Sequence, residues 1–179
     1  MGMVMLFLSF QACEEQEVQP FDTTQDQFAN EEAEKSDLFN AEENANKRVI
    51  NYVAHLSGGQ EVPPVETNAV GQVKLQLNHD GSELYYKLIV ANIENVRFSH
   101  IHLAPAGTNG SIVVFLYPGP TLGSVNGILA EGVITSSDLT GPLAGQNLSD
   151  LISEINNGQT YVNVHTDQVP GGEIRGQIM

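Results

Sequence analysis

Cysteine is nearly absent. Cys13 is the only one in 179 residues, so no disulfide can form within one chain. Trp is missing altogether, and nothing functional follows from that. Basic residues are scarce, 7 Lys and Arg against 22 Asp and Glu, for a formal charge of −15. With no basic patch, nucleic acid is excluded as a partner. No apolar run approaches the ~20 residues a spanning helix needs. Ser57, Ser99 and Ser111 have no His and Asp ordered around them, which leaves nucleophilic catalysis unsupported. Gly58-Gly59 lacks a following helix whose N-terminus would cradle a phosphate.

The acidity is uneven. Residues 14–46 hold 11 acidic residues against one Lys, a net charge of −10, and residues 47–179 hold 11 acidic against 6 basic, a net charge of −5. The acidic segment has only scattered Phe21, Phe28, Leu38 and Phe39 to bury. Low hydrophobicity with high charge predicts a disordered linker. Ahead of it, Leu6-Phe7-Leu8-Ser9-Phe10-Gln11-Ala12-Cys13 is a short apolar run ending in a small residue before Cys. It resembles the end of a bacterial lipoprotein signal peptide. That resemblance implies a lipidated Cys13 as mature N-terminus, with residues 14–46 tethering a domain at 47–179 to a membrane. Glu14-Glu15 resembles the acidic signal that directs some lipoproteins to the outer membrane or cell surface.

From residue 49 the apolar pattern takes a period of two, the signature of half-buried strands. Strands are expected at 49–56, 70–77, 83–91, 96–103, 111–117, 128–135, 160–166 and 173–178, with a hairpin turn at Asn78-His79-Asp80-Gly81. Asp-Gly is a strong turn signal. One helix is expected at 148–156: Asn147 caps it, Asp150 follows three residues on, Leu148, Leu151, Ile152 and Ile155 form its stripe, and Gly158 stops it. Short strands with turns between them predict an all-β fold, an antiparallel Greek-key β-sandwich or barrel with one short helix.

Two strands carry chemistry. In Ser99-His100-Ile101-His102, side chains alternate, so His100 and His102 share a face with Phe98. In Tyr161-Val162-Asn163-Val164-His165-Thr166, Tyr161, Asn163 and His165 share one face and the valines take the other. If the polar faces meet, His100, His102 and His165 form a candidate metal site, and three imidazoles favour copper or zinc as the cofactor. The alternative is a hydrogen-bonded polar cluster, with Glu173 or Asn163 as partner. His79 falls in a turn and His55 precedes the Gly-Gly loop, so neither is a candidate ligand. Glu173 and Arg175 share a face of the last strand, where Arg175 is expected to be tied to Glu173 or to loop carbonyls.

Leu56-Ser57-Gly58-Gly59-Gln60-Glu61-Val62-Pro63-Pro64-Val65 resembles the opening motif of the CHRD (chordin-repeat) domain. His100-Ile101-His102 with Gly107-Thr108-Asn109-Gly110 resembles its middle motif. Residues 161–166 and Pro170-Gly171-Gly172-Glu173-Ile174-Arg175-Gly176-Gln177 resemble its closing one. The resemblance spans about residues 50–179. It implies a cell-envelope or extracellular location and little about activity; a binding or structural module is expected here rather than an enzyme. The partner would be an extracellular protein or glycan at loops such as 58–67 and 118–126. The layout is also similar to the copper–zinc superoxide dismutase sandwich, with His100, His102 and His165 matching copper ligands. The bridging histidine and the zinc loop have no counterpart, which argues against dismutase chemistry.

Overall fold

The computed structural model describes residues 49–179; Cys13 and the acidic segment 14–46 lie outside them. The alternating pattern becomes seven strands: β1 (Ile50–Ser57), β2 (Val70–Leu77), β3 (Leu84–Leu103), β4 (Ser111–Tyr117), β5 (Thr121–Ile134), β6 (Thr160–Thr166) and β7 (Ile174–Gln177). One helix, α1 (Leu148–Asn156), precedes β6. All strand pairs are antiparallel. The order is β2-β1-β7-β6-β3-β4, and β2 also pairs with β3. The sheet therefore closes on itself into a barrel-like wall. The fold is all-β with one short helix.

Strand β3 is the spine of that wall. Its first half pairs with β2 and β5, and its second half with β6 and β4. Two separate strands were expected at 83–91 and 96–103; they are one strand of 20 residues. Asn92 and Asn95 explain the difference. Both take left-handed φ, 55° and 53°, which Asn tolerates better than most residues. They break the alternation as a turn would, but here they act as bulges, and the register with β5 shifts around them. Bulges bend and twist a strand, which lets one strand serve two sides of the barrel. Side-chain bonds hold the bends: Asn92 N–H donates to Asn126 Oδ1 at 2.9 Å, and Gly123 N–H to Asn95 Oδ1 at 2.8 Å.

Strand β5 also begins earlier than expected, at Thr121 rather than residue 128. Its first half is mostly exposed, so it carries no inward apolar rhythm to read. The helix matches its expected limits. Asn147 N–H donates to Asp150 Oδ2 at 2.8 Å, and Leu148, Leu151 and Ile155 are buried in the core with Ile101, Val162 and Val164.

Between β4 and β5 the chain crosses β3 at Gly119. A Cβ there would lie 1.6 Å from the Arg97 carbonyl oxygen, and φ is +50°. Gly123 also has positive φ, +80°, but nothing lies within 4 Å of its Cβ position. Gly123→Ala should therefore cost only the left-handed backbone penalty, about 1–2 kcal/mol. Gly119→Ala should cost clearly more. Urea unfolding of the two variants checks this, and equal losses would show that the close crossing is no constraint.

Candidate metal centre

The polar faces of β3 and β6 lie side by side on the outer face of the barrel wall. Register places His100 opposite Asn163, Phe98 opposite His165 and His102 opposite Tyr161. Ser99, whose side chain points to the other face, ties the pair together: its Oγ donates to the Asn163 carbonyl at 2.8 Å. His100, His102 and His165 each offer one ring nitrogen, and these atoms lie within 4.8 Å of one another. Among the described residues this is the one group of three or more His, Cys, Asp or Glu side chains so arranged. His55 and His79 stand apart. His55 faces Gln72, its Nδ1 3.4 Å from Gln72 Nε2, and His79 is in the exposed turn.

An outer face is normally wet, yet this one is covered. His102 is 8% exposed, Asn163 3% and Arg175 1%. Loops over residues 58–67, 105–110 and 167–173 close over the strands. Arg175 anchors the middle loop, donating to the Thr108 carbonyl at 2.9 Å, the Pro105 carbonyl at 3.2 Å and Asn109 Oδ1 at 3.2 Å. Asn109 Nδ2 in turn donates to the Val62 carbonyl at 2.7 Å, joining the first loop to the second. Arg175 is thus tied to loop carbonyls and not to Glu173. The Glu173 carboxylate instead accepts from Thr67 and Thr166, both at 2.7 Å.

Two of the rings are held by backbone carbonyls. His102 Nδ1 lies 2.9 Å from the Gly110 oxygen, and His165 Nδ1 lies 2.9 Å from the Pro170 oxygen. A carbonyl only accepts, so Nδ1 carries the hydrogen in both rings and each Nε2 presents a lone pair. This is how metal-ligating histidines are usually oriented by their surroundings. His100 Nδ1 faces His165 Nε2 at 3.3 Å. Two donors at about 2.0–2.1 Å from one tetrahedral ion stand roughly 3.3–3.4 Å apart, so this pair already has ligand spacing. No backbone carbonyl holds the His100 ring, which is packed instead against Phe115 and His165.

Aromatic rings wall the cluster. Tyr161 stacks flat on His102, centroids 4.8 Å apart and planes 5° apart. The Arg175 guanidinium lies 3.4 Å from the centroid of the Tyr161 ring. Phe115 meets His100 edge-on at 4.8 Å and is 58% exposed, and Phe98 also flanks His100. These two form an apolar rim where His165, half-buried, reaches toward solvent.

Burial sets the electrostatics. Desolvation, reinforced by His165 and His102, pushes His100 down to about 4. Desolvation also lowers His102, against the opposing pull of the Gly110 carbonyl, and it lowers His165 against that of Pro170. All three rings are therefore neutral at pH 7, as ligation requires.

Sequence reading did not find Glu61, which is buried beside Gly172 and Asn163. The available signal was a carboxylate in a loop of Gly, Gln, Val and Pro, which nothing sets apart from Glu66 in the same loop. Loop 118–126, expected to be a ligand surface, is largely the start of β5.

The family model of the CHRD domain matches residues 52–178. Comparison with curated proteins and with solved structures gives no match.

In the metal-free chain, the His100 ring should stay neutral down to about pH 4, read by NMR of the ring carbons. An unfolded histidine takes its proton near 6.5. The unfolded state therefore binds more protons than the folded one between about 6.5 and 4, and stability falls as pH drops through that window. For His100 the loss should be roughly 3 kcal/mol, at ~1.4 kcal/mol per unit, and it should shrink in His100→Gln. Titration of His100 near 6.5 would contradict the buried geometry.

Proposed function

Because the chain belongs to the CHRD domain family, we propose that it is a lipid-anchored cell-envelope protein whose single domain is a binding module for a divalent transition metal, copper or zinc. His100, His102 and His165 are the ligands. Cys13 carries the anchor, and residues 14–46 space the domain from the membrane.

One observation carries the metal reading. A hydrogen bond between His100 and His165 uses one nitrogen of each, but it leaves His102 Nε2 buried with no partner. An unpaired buried acceptor costs on the order of 1–3 kcal/mol. An ion shared by the three rings satisfies all of them at once, and three neutral imidazoles suit zinc or copper by ligand softness. A plain hydrogen-bonded cluster leaves the Nε2 of the third ring unpaired. Dismutase chemistry is not part of this reading, because the described residues offer no second ligand group for another metal. The ion would be reached from the side rimmed by Phe98 and Phe115, and the domain would hold or carry it.

The full chain, stripped with chelator, should bind one zinc or copper ion per molecule in isothermal titration. His102→Ala or His165→Ala should abolish binding, and His79→Ala should leave it intact. Equal binding by the His102→Ala and wild-type chains would refute the site. For the anchor, mass spectrometry of protein recovered from its native membrane should show an acylated Cys13 as the first residue. An unmodified chain that still begins at Met1 would contradict it.

A further inference from the structure

Three buried side-chain atoms at the site make no hydrogen bond among the described residues: His102 Nε2, Asn163 Oδ1 and Glu61 Oε1. They are neighbours. Asn163 stands directly across from His100 on one side and from Arg175 on the other. It lies two residues from His165 on the same face, so it floors the space between the rings.

The orientation of its amide can be read. A Cβ built on Gly172 would fall 2.4 Å from Glu61 Oε1 and 2.8 Å from Asn163 Nδ2. The N–H₂ side of the amide is therefore next to the carboxylate, the favourable arrangement for a donor beside an acidic acceptor. Asn163 lowers the Glu61 carboxyl, as a donor does, against the larger effect of burial. That arrangement turns Oδ1 away from Glu61; it is buried without a partner, on the face that Asn163 shares with His165 and, across the register, with His100. His102 has already committed its Nδ1 hydrogen to the Gly110 carbonyl. A neutral His102 thus leaves a bare Nε2 in the same layer as the bare Oδ1. Two unpaired acceptors in a dry site are unfavourable, and a cation that takes both as donors removes the penalty.

Resting on the metal reading above, we infer that Asn163 Oδ1 is the fourth donor of the site and that Glu61 is the positioning residue that fixes the amide. The donor set is then three imidazole nitrogens and one amide oxygen, closed and four-coordinate. Such a set suits tetrahedral zinc rather than copper(II), which prefers tetragonal geometry. A closed set holds an ion and leaves no position for a reacting water, which fits a binding module and not a hydrolase. Gly172 belongs to the same device, because any side chain there would push into Glu61 and Asn163.

The test uses the full chain loaded with cobalt(II) in place of zinc, read by its visible absorption while azide is added. The wild-type chain should show the intense bands of a four-coordinate ion and should not respond to azide. Asn163→Ala should open a position, so that azide shifts the bands. Asn163→Asp keeps an oxygen donor and should stay insensitive. Glu61→Gln should weaken cobalt affinity by about 10–100-fold, the usual effect of losing a group that orients a ligand. A wild-type chain that responds to azide would overturn the inference while leaving the three-histidine site intact. A wild-type chain that binds none of cobalt, zinc and copper would instead overturn the metal reading itself. If Asn163→Ala fails to fold by circular dichroism, the wild-type and Asn163→Asp responses still decide.

Discussion

The register between β3 and β6 is the constraint on which the site depends. It sets His100 opposite Asn163 and Ile101 opposite Val162. Because side chains alternate, a slip of one residue would put His165 on the opposite face from His100 and His102. What holds the register is the core beneath. Ile101, Val162, Val164 and Ile174 are each fully buried, and burying such a side chain is worth about 1.5–3 kcal/mol. The imidazoles contribute little to folding by themselves; the inward-facing residues between them dictate where they point. The bulges at Asn92 and Asn95 matter for the same reason. They let β3 leave β2 and meet β6 without ending, so the spine of the barrel is also the strand that carries two of the ligands.

The second requirement is a dry polar layer on the outside of a sheet. Arg175 makes it possible. Its guanidinium lies over Tyr161 and satisfies the carbonyls of Pro105 and Thr108, so a loop with no secondary structure can cover the strands. The same loop then supplies the Gly110 carbonyl that sets the tautomer of His102. Cation, aromatic ring and imidazole are stacked in sequence, Arg175 on Tyr161 and Tyr161 on His102. Nearly every polar group in this layer has a partner. Glu173 is satisfied by two threonines and Arg175 by three loop acceptors. Among the described residues five buried side-chain atoms are left without a partner, on Glu61, His102, Thr160, Asn163 and Gln177, and those of His102, Asn163 and Glu61 belong to the residues of the site.

Much of this was legible in the sequence, for identifiable reasons. Residues 70–77 read as a strand because one face is buried and the other is not, and a period of two results; residues 160–166 are buried on nearly every side and read as a strand because valines alternate there with polar and aromatic residues. The helix read correctly because its cap, its stripe and its terminating Gly158 agree. What was missed lacked a local signal. Asn92 and Asn95 are as common in turns as in bulges, and only the pairing partners on both sides decide between the two. The first half of β5 has too few buried residues to show a rhythm. The face shared by His100 and His102, and that of His165, followed from alternation, whereas their adjacency is a tertiary fact. Glu61 is about 100 residues from the strand it meets, and nothing near it in the chain marks it as buried.

X-ray absorption at the zinc edge of the zinc-loaded full chain bears most directly on the metal site. Three imidazole nitrogens at about 2.0–2.1 Å, with the multiple scattering that identifies the rings, are expected in the wild-type chain. The imidazole count should fall in His102→Ala. A first shell of water and carboxylate oxygens, or a spectrum that His102→Ala leaves unchanged, would mean that these three rings form a polar cluster of the sheet and hold no ion.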